Sequence, residues 1–207
     1  MKAAHLEILV EEPSMEAFLR QFLPRLLGEE QSFNVYPHQC KEDLLGKLPQ
    51  RLRGYAAWLP ADWRIIVIVD RDDDDCQLLK QKLERMASEV GLRTRSASAA
   101  EEESWQVANR IAVEELEAWY FGDWRSVRRL YPRVSATVPN KASYRDPDAI
   151  AGGTWEALER LLKRVGYFQS GLRKVEMARE MGGQLDWKSN CSGSFCVFRD
   201  ALLEAVA

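Results

Sequence analysis

Five aspartates, Asp70, Asp72, Asp73, Asp74 and Asp75, crowd the stretch IIVIVDRDDDD at residues 65–75. Such a run repels itself unless a cation or water absorbs the charge. Asp70 and Asp72 alternate, so an extended chain would aim both carboxylates at one point. That pair suits a hard divalent ion such as Mg²⁺, which takes one or two carboxylates plus waters and substrate phosphate oxygens. Asp73 to Asp75 have a plainer role. They precede Cys76-Gln77-Leu78-Leu79, where acidic side chains cap and stabilise a helix start.

Further acids stand at comparable places. Glu11 follows HLEILV, an apolar run at residues 5–10 that reads as a strand, so it would face Asp70 and Asp72 if the two strands are neighbours. Glu114, Glu115 and Glu117 follow a third strand pattern at residues 106–113. They serve either as site acids or as helix-start acids, and periodicity does not separate Glu115 from Glu117, because a helix would turn them apart and a strand would align them. Lys174 opens the helical pattern KVEMAREM. It is an ordinary surface charge or a cation leaning over the acids to stabilise a phosphorane-like transition state.

The elements that must position these residues follow from the patterning. Ile65 to Val69 is β-branched throughout, as in a strand covered on both faces. Helices are expected over 15–27, kinked or interrupted near Pro24 and starting at Pro13 or Ser14, over 41–55 with Leu44, Leu45, Leu48 and Leu52 inward, and over 75–90. Short strands are expected at 33–36 and 92–95, and an exposed acidic loop at 97–103. The order βαβαβαβ gives an α/β fold with a mainly parallel sheet, and ligands of such sheets bind at the carboxyl ends of the strands.

The second half is read as helical. Arg125, Arg128 and Arg129 fall on one short helix, with Lys141 and Arg145 in the loop beyond; they form a surface for a nucleic-acid backbone or are simply solvated. Trp119, Tyr120, Phe121, Trp124 and Tyr131 belong to core or interface rather than to base stacking. Gly152-Gly153 lacks the spacing and lysine of a P-loop, so Thr154 is expected to cap the helix TWEALERLLKRV. Ser194 is expected to cap a last helix that packs Phe195, Phe198, Leu202 and Leu203 inward.

The 207 residues suit one compact unit, a catalytic core over 1–123 with a basic helical extension over 124–207. Residues 1–117 hold 15 Lys and Arg against 22 Asp and Glu; residues 118–207 hold 14 against 10. An acidic half beside a basic half is compatible with metal-bridged chemistry on a polyanion. No leader or 18-residue apolar stretch is visible, so a cytoplasmic protein without a membrane partner is expected. Cys40, Cys76, Cys191 and Cys196 lack zinc spacing and read as reduced, buried thiols, and with only His5 and His38 present histidine chemistry has little support.

The pattern of strand, Glu11, turn and helix, then strand, Asp70-x-Asp72, resembles the Toprim domain of topoisomerases, primases and OLD-type nucleases. LVEEPSMEAFL, IAVEELEAWYFGD and the late Asn190-x-Ser192-x-Ser194-Phe195 are similar to an uncharacterised bacterial family of that clan. The resemblance implies a Toprim/Rossmann-like sheet with Glu11 as general acid/base or metal ligand, Asp70 and Asp72 as ligands of Mg²⁺ or Mn²⁺, and Glu115 or Glu117 completing a second site. It implies a nuclease acting on DNA or RNA, in a phage-defence setting with an AAA- or SMC-like ATPase partner. A homodimer stays open. Other readings are a non-catalytic Toprim-like subunit and a small-molecule phosphatase. Two positions depart from the pattern: Glu12 stands where glycine is usual, and Met15 where an acid is usual, with Glu16 one place later.

Overall fold

The computed structural model describes residues 2–98 and 104–207. Four parallel strands, β1 (His5–Val10), β2 (Ser32–Pro37), β3 (Trp63–Asp70) and β4 (Val107–Ala112), form one sheet in the order β2-β1-β3-β4. The chain leaves β1 to one side for β2 and to the other for β3 and β4. The switch point therefore lies between β1 and β3, the place where open α/β sheets bind ligands.

Alternation along the strands divides the core into two layers. Leu6, Ile8 and Val10 of β1, with Ile66 and Ile68 of β3, join the larger cluster beneath α1 (Pro13–Leu27) and the C-terminal helices. Leu9, Ile65, Val67 and Val69 face the other way, against α2 (Lys41–Trp58) and α3 (Cys76–Ser88). With helices on both faces, β3 is buried from Arg64 to Asp70, as its β-branched run requires.

The connection from α3 to β4 differs from the expectation. Instead of a strand near residues 92–95, Thr94 makes one isolated bridge to Val107, and Arg95–Ser98 forms a helical turn, α4. The run is too polar to fill a strand position beside β4. Residues 99–103, most of the expected acidic loop, lie outside the described residues.

The second half continues with α5 (Leu116–Gly122), α6 (Trp124–Leu130), α7 (Thr154–Arg164), α8 (Lys174–Gln184) and α9 (Gly193–Ala205). The aromatic residues of α5 and α6, Trp119, Tyr120, Phe121 and Trp124, are core, as is Tyr131. Gly182 of α8 lets α1 approach closely: a Cβ there would sit 2.3 Å from the carbonyl oxygen of Phe18. The Asn-x-Ser-x-Ser motif closes the chain onto α5. Asn190 donates to the Trp119 carbonyl at 2.8 Å, and Ser192 and Ser194 both donate to Asp148.

Several local expectations are corrected. Pro24 sits inside an unbroken α1, one helical turn from its end. Ser192, not Ser194, caps α9, and Leu203 is exposed, about 100° round the helix from the buried Leu202. Gly153 takes the cap position before α7 at φ 81°, so Thr154 is the first helical residue. Cys40, Cys76 and Cys191 are exposed rather than buried, since each lies outside or at the very start of a helix. No helix among the described residues is long and apolar enough to cross a membrane.

Candidate active site

The carboxyl ends of β1 and β3 set the site. Register pairs Val10 with Ile68, so Glu11 leaves β1 beside the end of β3 and its Oε2 accepts the Asp70 backbone N–H at 3.0 Å. Asp70 is the last residue of β3 and is buried. Burial, reinforced by the charges of Glu11, Glu12, Glu117 and Asp72, pushes its carboxyl well above the usual carboxylate range. Glu11 is pushed up to about 7, by burial and by Asp72, against the lowering effect of the Asp70 N–H.

Asp72 is placed differently from the extended pair expected. Its φ of 48° puts it in a left-handed turn beyond the strand, and its carboxylate pairs with Lys41 at 2.7 Å. The turn is held by backbone bonds to the β4 side, Arg71 N–H to Ala112 O and Asp72 N–H to Glu114 O. Lys41, at the start of α2, also bonds Asp74 and the Arg71 carbonyl, each at 2.9 Å. Burial pulls its ammonium down, but Asp72 and Asp74 outweigh that and raise it. Of the remaining aspartates only Asp75 caps α3, accepting from the Gln77 and Leu78 N–H groups; Asp74 is taken by Lys41.

The third acidic group separates once its contacts are known. Glu114 pairs with Arg71. Glu115 caps a different helix from the one it precedes, accepting from Thr154 Oγ1 at 3.1 Å and the Trp155 N–H at 3.0 Å. Glu117, in the first turn of α5, is fully buried with its Oε2 unpartnered, and its carboxyl is pushed up to about 7 by burial, with Lys174 opposing. The Tyr120 hydroxyl, one turn on, is also buried and unpartnered.

Lys174 does lean toward these acids. Its Nζ lies 4.0 Å from Glu115 and 4.8 Å from the Trp155 ring centre. Burial lowers its pKa, yet Glu117, Glu12, Glu115 and Asp70 more than compensate, and it stays above the ordinary lysine value.

Glu11, Asp70 and Glu117 thus form a buried or half-buried group of like charges, none of them with a cation in hydrogen-bonding contact among the described residues. An orphaned carboxylate oxygen and acids held partly protonated fit a divalent cation, whose charge would remove the repulsion. Among the described residues no three His, Cys, Asp or Glu side chains converge closely enough to form a preassembled metal cage. Two clefts open on residues that flank the group in sequence, and neither is lined by Glu11, Asp70 or Glu117. One, of about 410 Å³, is bounded by Asp72, Asp73, Glu114, Glu115 and Gly152-Gly153; the other, of about 660 Å³, lies between α2 and α3 next to Lys41 and Asp74. Sequence reasoning missed Lys41, which stands about thirty residues before its partners, and Arg71. A lone lysine at a helix start carries no signal until the fold brings it to the strand end.

A family model, DUF4276, described as a domain of unknown function, matches residues 10–203. Among solved structures, the C-terminal region of the Burkholderia pseudomallei OLD protein is similar, with 18% identity, 100% of each chain covered and a TM-score of 0.49. No curated protein matches.

Proposed function

The chain belongs to the DUF4276 family, and from that premise we propose a Toprim-type, Mg²⁺- or Mn²⁺-dependent nuclease that hydrolyses phosphodiesters of DNA or RNA, as an effector in phage defence. The observation that carries the reading is the set of buried, charge-frustrated carboxylates of Glu11, Asp70 and Glu117 at the switch point of the sheet. Residues 1–123 act as the catalytic core and 124–207 as its basic extension.

Glu11, Asp70, Asp72 and Glu117 would hold the metal, with Glu115 fixing the start of α7 beside them. A bound divalent ion supplies Lewis-acid polarisation of the phosphate and makes water a better nucleophile at neutral pH. The chain supplies the rest. Without the ion, burial holds the Glu11 carboxyl at about 7, so it gives up its proton when the ion binds. Lys174 stays cationic and offsets charge on the phosphate oxygens. Lys41 holds Asp72 in its turn, leaving that carboxylate exposed to substrate. Arg125, Arg128, Arg129, Lys141 and Arg145, all exposed, provide charge for the nucleic-acid backbone.

One observation favours a second reading. Because no three acids among the described residues form a ready cage, a non-catalytic Toprim-like subunit serving an AAA- or SMC-like ATPase is the rival. Wild-type and Asp70→Asn protein incubated with single- and double-stranded DNA, plasmid, tRNA and p-nitrophenyl phosphate, in Mg²⁺, Mn²⁺ or EDTA, distinguishes them. Metal-dependent cutting of nucleic acid by wild type alone is expected. Cutting that survives in Asp70→Asn overturns the site, turnover of the aryl phosphate alone indicates a phosphatase, and no turnover together with no metal binding indicates the subunit.

A further inference from the structure

The opposite end of the sheet carries a second built surface. Trp58, the last residue of α2, is 55 % exposed and stands edge-on to Trp63 at 5.6 Å and tilted to Tyr55 at 5.5 Å. An exposed tryptophan at a helix end is unusual unless it meets a partner. Gly54 lies one turn earlier and leaves the helix surface between them flat, with nothing within 4 Å of where its Cβ would be. Arg51 completes the wall, its guanidinium 4.1 Å from the Tyr36 ring centre. Together these residues border an open cleft of about 400 Å³.

The chemistry of this cleft selects its occupant. Glu7 at its floor would attract an organic cation if it were free, but it accepts hydrogen bonds from Tyr55, Asn34 and Tyr36 and pairs with His5. Its hydrogen-bonding capacity is thereby filled inside the protein. What faces outward is an aromatic surface beside a guanidinium, which suits a planar ring attached to an anion. Lys47, four residues before Arg51 on α2, is paired with Asp43 at 2.6 Å, so Arg51 is the cation lining this cleft. Trp63 and Asp70 are seven residues apart on β3, about 23 Å at 3.3 Å per residue.

We propose that the Trp58–Trp63–Arg51 cleft binds a nucleotide unit of single-stranded nucleic acid, stacking the base on the indole and pairing its phosphate with Arg51. This deepens the nuclease reading, and rests on it for its role, by naming single strands as the substrate class.

Binding of a fluorescently labelled twelve-residue oligothymidylate, and of dTMP, measured in EDTA tests the cleft without cleavage. Wild type is expected to bind the strand. Trp58→Ala and Arg51→Ala are each expected to bind it about tenfold more weakly, in line with the worth of one stacked base. Trp58→Phe should retain most of the affinity, and Arg51→Ala should flatten the salt dependence. Unchanged strand affinity in both alanine variants overturns the proposal. dTMP binding as tightly as the strand replaces it with a free-nucleotide site, and a shift in oligomeric state in place of binding replaces it with a contact to a second copy. Because binding is read without metal or turnover, absence of cleavage refutes the nuclease reading alone, and absence of Trp58-dependent binding refutes this cleft alone.

Discussion

Two carboxylates of the same sheet are buried to a similar degree, Glu7 at 3 % exposed and Asp70 at 7 %, and they behave in opposite ways. Burial pushes both up. For Glu7, hydrogen bonds from Tyr55, Asn34, His5 and Tyr36 outweigh it and hold the carboxyl below its ordinary value. For Asp70, the neighbouring charges of Glu11, Glu12, Glu117 and Asp72 add to burial and raise it further. Depth alone therefore does not identify a functional acid. Partners do: a satisfied buried acid holds the fold together, and a frustrated one stands ready for a ligand.

The strongest way to break this contrast is by substitution at its two poles. Asp70→Asn should lower nuclease activity on the order of 10³-fold, about 4 kcal/mol of transition-state stabilisation, while leaving the metal-free melting temperature equal or higher. Glu7→Ala should do the reverse. It strands the Tyr55 hydroxyl and Asn34 amide and should cost about 3 kcal/mol of folding stability by chemical denaturation, with the metal dependence of turnover retained. Equal stability losses in the two variants would erase the distinction.

A pH series sharpens it. A carboxyl whose folded pKa is raised gives stability that is present below its unfolded value and lost as pH rises through the folded one. Glu117, moving from 4.5 to about 7, should make the metal-free protein lose about 3 kcal/mol between pH 5 and pH 8. Glu7, lowered, contributes the opposite slope, lost only as pH falls below about 4.5. Mg²⁺ or Mn²⁺ at a hundredfold excess over its Kd at pH 8 should restore about 2.7 kcal/mol there, and the same concentration little at pH 5. A flat metal-free profile from pH 5 to 8, or equal stabilisation at both, would contradict the frustrated cluster.

The smallest effect is expected inside the acidic run itself. Asp75→Ala removes the α3 cap and should cost about 1 kcal/mol, with turnover unchanged. Loss of turnover there would make the whole run, rather than Asp70 and Asp72 alone, part of the site.

Much of this architecture was legible in the residue pattern. Strand β3 announces itself because a segment covered on both faces must be apolar at every position. Glu11 and Asp70 were legible as strand-end acids for the same reason, since the apolar run stops where the layer of helices stops. Asp72 was not, because the turn that carries it is set by backbone bonds to residues 112 and 114, which no local spacing encodes. Glu115 and Glu117 looked alike in sequence. They diverged only when α7 arrived to take the first as its cap and the core closed over the second.

The sequence by itself determined the layers: periods of two and 3.6, β-branched runs and the acids that end them are patterns among neighbouring residues, read without knowledge of distant contacts. Only the tertiary structure decided which charges meet. It brought Lys41 to Asp72 and Asp74, Lys174 to Glu115, and Tyr55 to Glu7. Electrostatic energy depends on separation in space and on access to water, and the chain's numbering records neither.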